Sequence, residues 1–251
     1  MGSTMGRGDI PTGPPRRVPI GVVAPHDMAL DAELWRWVPD EAALFFARTS
    51  YLPLAVSLEM VELLGDITGI RSATEQLKAI EPVAYAFACT SGSFVHGRAG
   101  ERAAAAALSE AGGAPGITAS GAILAALGHL RIRRVAVATP YDATITARLE
   151  SFLVEAGVAV TGIRQLDLDS RMWTVPYART ADLIREANSD AAEAIVVSCT
   201  NLPTYDLITP LEHELGKPII SANQATMWAV LTQCGLAAVG PGQHLINPGG
   251  T

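Results

Sequence analysis

The sequence predicts an α/β fold made of two pseudo-symmetric lobes with parallel sheets and a cleft between them. Two observations predict it. Short apolar runs alternate along the chain with segments of helical periodicity, the order expected of parallel strands joined by helices. Three landmarks also recur in the same order in each half: a strand closed by proline, a strand closed by Cys-Thr, and a proline followed by a short strand and small residues. Strands buried on both faces read as such unbroken apolar runs, and ligands bind at their carboxyl ends.

The elements follow in order. Val18-Pro19-Ile20-Gly21-Val22-Val23-Ala24, closed by Pro25, is the first strand; helical text runs from Asp31 to Val38, and a second strand from Ala43 to Arg48. Glu59 to Ile70 and Ser72 to Ile80 read as helix, and Val83 to Ala88 as the strand that ends at Cys89. Alanine-rich Arg98 to Ala111 is a helix, Pro115 to Thr118 a short strand, and Gly121 to Leu130 a helix. The order then begins again. Arg134 to Thr139 with Pro140 echoes the first strand, Thr144 to Ala156 is a helix closed by Gly157, and Val158 to Ile163 is a strand. Thr180 to Asn188 is helical, Ala194 to Val197 leads to Cys199, and Tyr205 to Leu215 is a helix closed by Gly216. Lys217 to Asn223 repeats Ala114 to Ser120, and the last helix runs from Gln224 to Cys234. The expected organisation is a disordered Gly- and Pro-rich tail over 1–17, a first lobe of 18–118 plus 221–251, and a second lobe of 119–220, with the last helix of each repeat crossing to the other lobe.

Composition narrows the function. In 251 residues, 49% are hydrophobic and 17% charged, a balance that implies much buried surface. The net charge of −7, without a basic stripe, argues against nucleic acid and anionic membranes as partners. Three cysteines without CxxC spacing argue against a disulfide framework and a zinc site, and five histidines show no ligand spacing, so no metal is expected. No GxGxxG or Walker loop is present, so no nucleotide cofactor is expected. Without a signal peptide or an apolar run of membrane length, the expected location is the cytoplasm.

The chemistry concentrates at Ala-Cys89-Thr-Ser-Gly-Ser and Ser-Cys199-Thr-Asn-Leu-Pro. Both thiols stand at the carboxyl end of a predicted strand, in equivalent positions of a repeat, where they would face each other across the cleft. Thr90, Ser91, Thr200 and Asn201 offer hydroxyl, amide and backbone donors for a carboxylate or an enediolate. No lysine or arginine adjoins either thiol, so activation is expected from backbone dipoles. His26 and Asp27, just past the first strand, read as substrate contacts or a proton relay; otherwise Asp27 caps a helix and His26 is solvated. Asn201 is a substrate amide or a turn residue, His96 a contact or a cap. Cys234 is structural, and Trp35 and Trp37 read as core or interface.

These motifs resemble the aspartate/glutamate racemase superfamily, and within it the branch of maleate cis-trans isomerases and arylmalonate decarboxylases. Ser-Cys-Thr-Asn-Leu-Pro is similar to the second cysteine motif of the racemases, and Cys89-Thr90-Ser91 to a decarboxylase Gly-Thr-Ser segment, with cysteine in place of glycine. Thr139-Pro140-Tyr141 resembles the branch's Thr-Pro/Ala-Tyr segment, which implies Tyr141 in the active site. The resemblance implies cofactor-free chemistry on a small carboxylic acid, with a homo-oligomer allowed: racemisation or cis-trans isomerisation (maleate isomerase-like) by opposed Cys89 and Cys199. The alternative it implies is decarboxylation with Cys199 as proton donor; behind both stands a non-catalytic small-molecule binding protein. Where maleate isomerases carry Pro-Ser-Ser-Asn this chain has Pro25-His26-Asp27-Met28, and with Thr90-Ser91 this leans towards decarboxylase-like and ectoine-utilisation-like members.

Overall fold

The computed structural model describes residues 13–247. The tail expected over 1–17 therefore falls largely outside the described residues.

The first half runs β1 (Val18–Ala24), α1 (Asp31–Trp35), β2 (Ala42–Arg48), α2 (Leu58–Leu64), α3 (Ile67–Glu75), β3 (Ala84–Phe87), α4 (Thr90–Phe94), α5 (Gly97–Gly112), β4 (Gly116–Thr118) and α6 (Ala119–His129). The second runs β5 (Arg134–Thr139), α7 (Ala143–Glu155), β6 (Ala159–Gln165), α8 (Tyr177–Ala187), β7 (Ala194–Val197), α9 (Tyr205–Leu215), β8 (Ile219–Ser221) and α10 (Ala222–Gln233). Short 3-10 turns lie at Lys78–Ile80 and Met172–Thr174.

Two four-stranded sheets result, in the orders β2-β1-β3-β4 and β6-β5-β7-β8, and every pairing is parallel. The repeat seen in the sequence is thus a repeat of topology. The central strands are buried on both faces, as their continuous apolar text requires. One apolar core runs through both sheets, from Ile20 and Val22 to Val135 and Ile219. A second, smaller core lies on the other face of the first sheet, under α2, α3 and α5. Helices α6 and α10, each following the last strand of its repeat, pack on one another, and α10 reaches back to β3 and β4.

Two stretches differ from expectation. The helix expected from Glu59 to Ile70 breaks at Gly65 and Asp66, because the Asp66 carboxylate accepts the Gly69 N–H and starts α3 there. The segment after Cys89, expected as loop, winds at once into α4, where Ser93 Oγ donates to the Thr90 carbonyl. Among the described residues no helix is long and apolar enough to cross a membrane.

Candidate active site

The carboxyl ends of the four central strands converge on one cavity. Pro25 and Asp27 follow β1, Cys89, Thr90 and Ser91 follow β3, Tyr141 follows β5, and Cys199, Thr200 and Asn201 follow β7; all of them line it. Parallel strands deliver these residues to one edge because every one of them points the same way. Val56, Met60, Val61 and Leu64 from α2 and the segment before it, with Met172, close the remaining wall. The cavity is tight, about 30 Å³, space for one or two water molecules. Its cover is clasped shut between the lobes: the Val56 N–H donates to the Asp169 carbonyl at 2.7 Å, and the Met172 sulfur lies 3.5 Å from Cys199 Sγ.

Both thiols are free and buried, Cys89 at 2% exposure and Cys199 at 7%. Burial pushes each up to about 12, against the pull of the Gly92 N–H on Cys89 and of the Asn201 N–H, at 3.3 Å, and the Tyr141 hydroxyl on Cys199. Backbone dipoles, expected to activate the thiols, are present but outweighed by desolvation. At pH 7 the thiols rest in the neutral form, the anion lying roughly 7 kcal/mol higher at 1.36 kcal/mol per unit. Burial also pushes up the Asp27 carboxyl, with His26 pulling it back, and raises Tyr141 well above a free phenol.

The two loops are built differently. Cys89 is extended (φ −136°) and caps α4; Gly92 lies so close that a Cβ there would meet Cys89 Sγ at 3.0 Å and the Leu64 carbonyl carbon at 3.2 Å. Cys199 sits at φ +94°, a conformation that costs an L residue about 1–3 kcal/mol. Bonds to the opposite lobe hold it there. Thr200 Oγ1 donates to the Ala88 carbonyl at 2.9 Å; Asn201 accepts the Ala29 N–H at 2.9 Å and donates to the Asp27 carbonyl at 3.0 Å.

Of the residues expected at the site, Cys89, Thr90, Ser91, Tyr141, Cys199, Thr200, Asn201 and Asp27 are brought together in the cavity. His26 is not among its lining: its N–H is held by Thr49 Oγ1 and its ring meets Tyr51 edge-on, centroids 5.4 Å apart. His96 lies elsewhere, in a groove with Arg148 and Glu155, and Cys234 ends α10 away from the cavity. Asn201 is both a lining residue and a cross-lobe tie. Not foreseen were the apolar wall and Met172, because single apolar residues in helices and loops carry no mark that separates cavity from core. The buried Thr90 hydroxyl has no partner among the described residues. No Lys, Arg or His lines the cavity, and no group of described His, Cys, Asp and Glu residues could hold a metal ion.

A family model for arylmalonate decarboxylase matches residues 36–246. An arylmalonate decarboxylase from Bordetella bronchiseptica is 32% identical over 231 residues, covering 89% of this chain and 93% of that one. A maleate isomerase from Pseudomonas putida is 25% identical over 139 residues, 54% of this chain and 56% of the other. Among solved structures, a liganded arylmalonate decarboxylase variant, with one glycine changed to cysteine and one cysteine to serine, superposes with a TM-score of 0.82 at 29% identity, covering 92% of this chain and 99% of its own.

Proposed function

The chain belongs to the arylmalonate decarboxylase family, and from that premise we propose that it moves a proton at the carbon α to a carboxylate, using Cys89 and Cys199 from opposite faces. The observation that carries this is the placement of both thiols, from equivalent positions of the repeat, in one cavity. In the proposed racemisation, a thiolate takes the α-proton: the C–H bond breaks, an S–H bond forms, and the electron pair moves into the carboxylate as an enediolate. The opposite thiol then gives its proton to the other face. In this reading the hydroxyls of Thr90, Ser91 and Tyr141, all from residues lining the cavity, and the nearby N–H groups donate to the enediolate oxygens. The burial that makes a thiolate rare also makes it a stronger base, by about 1.36 kcal/mol for each unit of pKa.

The absence of any lysine, arginine or histidine in the lining, together with Asp27, favours a substrate with one carboxylate held by neutral donors and an apolar substituent against Val56, Val61, Leu64 and Met172. Such an acid needs several times the present volume, so the clasp between Val56 and Asp169 must open for it.

A second reading is favoured by the raised thiols. In decarboxylation the C–C bond to the departing carboxylate breaks, CO₂ leaves with the pair retained as an enediolate, and a neutral Cys199 protonates the carbon. That role begins from the protonated thiol, which is the resting form here.

NMR in D₂O separates these readings. A single enantiomer of a 2-arylpropanoic acid is expected to gain α-deuterium and lose optical purity; an arylmalonate that releases CO₂ marks the second reading, and maleate giving fumarate marks isomerisation. The two-thiol proposal fails if Cys89→Ala exchanges and racemises the acid as fast as the wild type.

A further inference from the structure

Glu33 is a buried carboxylate that the chemistry above does not use. It lies on α1, seven per cent exposed, and among the described residues every hydrogen bond to it comes from a neutral donor. One donor, Thr204, lies in the segment after Cys199, and the other, Asn223, lies on α10. The Thr204 hydroxyl donates to Oε1 at 2.8 Å, the Thr204 N–H lies 3.1–3.2 Å from both oxygens, and Asn223 Nδ2 donates to Oε1 at 3.2 Å. The same Asn223 Nδ2 donates to the Thr200 carbonyl at 3.0 Å, next to the cysteine itself. Asn223 Oδ1 has no partner among the described residues, so the orientation of this amide is set by Glu33 and Thr200 alone.

Thr204 is the first residue before α9, and its own side chain does not cap that helix. Glu33 reaches across from the first lobe and supplies the acceptor that this end lacks. It is the one carboxyl side chain among the ties that hold Cys199 at φ +94°; burial pushes its pKa up, while the Thr204 and Asn223 donors pull it back toward the ionised form.

We propose that Glu33 is a positioning residue for Cys199: it fixes Thr204 directly and the Thr200 carbonyl through Asn223, and so aims the thiol into the cavity. The proposal rests on Cys199 being the proton-carrying thiol, yet its first test needs no substrate. Purified full-length protein is labelled with iodoacetamide, and the three cysteine peptides are quantified by mass spectrometry over time. In Glu33→Gln, which places an amide N–H₂ against donors, labelling of Cys199 relative to Cys89 is expected to change at least about threefold, with Cys89 relative to Cys234 unchanged. On a substrate that the wild type turns over, kcat is expected to fall at least about tenfold with KM within about twofold, the pattern of lost alignment and not of lost binding. Thr204→Val, which removes one hydroxyl and keeps the carboxylate, is expected to give the same pattern at smaller amplitude, and serves if Glu33→Gln does not fold. Folded variants whose labelling ratios match the wild type overturn the proposal. A wild type inert toward every α-substituted acid overturns the functional reading instead, while the labelling ratios still decide the role of Glu33.

Discussion

Cys89 and Cys199 each follow the third strand, in chain order, of a four-stranded parallel sheet, and each is followed by threonine. Past that point the two loops part. Thr90-Ser91-Gly92-Ser93 contains no proline, so despite its weak helix formers α4 starts at once and holds Cys89 in an extended cap position. Thr200-Asn201-Leu202-Pro203 cannot do the same: Pro203 disfavours helical backbone at Leu202, and α9 waits until Tyr205. The first thiol is fixed by close neighbours in α2 and α6, through Gly92 against Leu64 and Gly65 and Ser93 against Ser120. The second is fixed by Ala88, Ala29, Asp27 and, through Thr204, Glu33, all from the opposite half. One thiol is therefore held from within its own half of the chain, and the other is held from the opposite half.

The largest test of this asymmetry removes each thiol in turn. Cys199→Ala is expected to abolish every reaction at the α-carbon, by about 10³-fold or more, within the range that general acid–base groups contribute. Cys89→Ala is expected to abolish racemisation and isomerisation to the same degree while leaving any CO₂ release in place. Chiral chromatography and ¹H NMR in D₂O read both. Equal loss of CO₂ release in the two variants would show that the thiols are not divided in this way.

Gly92→Ala strikes the first loop alone. The new methyl meets the Cys89 sulfur and the backbone at Leu64 and Gly65, where nothing flexible can give. A loss of about 10²-fold in kcat is expected from thiol displacement. Gly128→Ala in α6, whose Cβ meets nothing within 4 Å, should leave activity unchanged and is the control. Wild-type activity in Gly92→Ala would mean that Cys89 has more freedom than its packing suggests.

The shared property of the loops is burial, and pH reads it. Both thiols are pushed up to about 12, so alkylation should rise about tenfold per pH unit from neutral upward, without the plateau above about 8.5 expected of the unfolded chain in urea. The linkage has a definite sign. Between the unfolded and folded values the native state keeps protons that the unfolded chain releases. The stabilising contribution is therefore complete below about pH 8.5 and is lost as pH rises toward 12, at up to about 1.36 kcal/mol per unit for each thiol. Chemical denaturation between pH 8 and 11 measures it; a flat profile would place the thiols in contact with water.

Much of this was legible from the residues. Buried strands announce themselves by unbroken apolar text, and a repeat of landmarks translates directly into a repeat of sheet order, so both cysteines could be put on one edge from the sequence, while Tyr141 came from the family resemblance alone. Gly157 and Gly216 likewise mark helix ends, at φ +78° and +64°. What escaped was set by distant partners. Glu33 sits in an ordinary polar helix, and its worth lies in Thr204 and Asn223, which are 171 and 190 residues away. His26 has the right place in sequence, but Thr49 and Tyr51 keep it from the cavity lining. The thiols' high pKa follows from the closing of the cover, which no local motif records.

The smallest expected effect tests why the loops differ at all. If Pro203 is what keeps the chain after Cys199 out of helix, Pro203→Ala permits α9 to grow backward toward Thr200. Growth would pull the Thr200 hydroxyl from Ala88 and the Asn201 amide from Ala29 and Asp27, and the cross-lobe bonds outweigh one added helical turn, so the native loop should persist. The change then acts on the unfolded chain, which gains freedom, and stability should fall by about 0.4–1 kcal/mol. For a chain of this length that is about 1–4 °C in Tm. Amide exchange at Thr200 to Thr204 should stay as in the wild type. A gain in stability, with new protection across those residues, would mean that proline and not the opposite lobe holds Cys199 in its left-handed backbone.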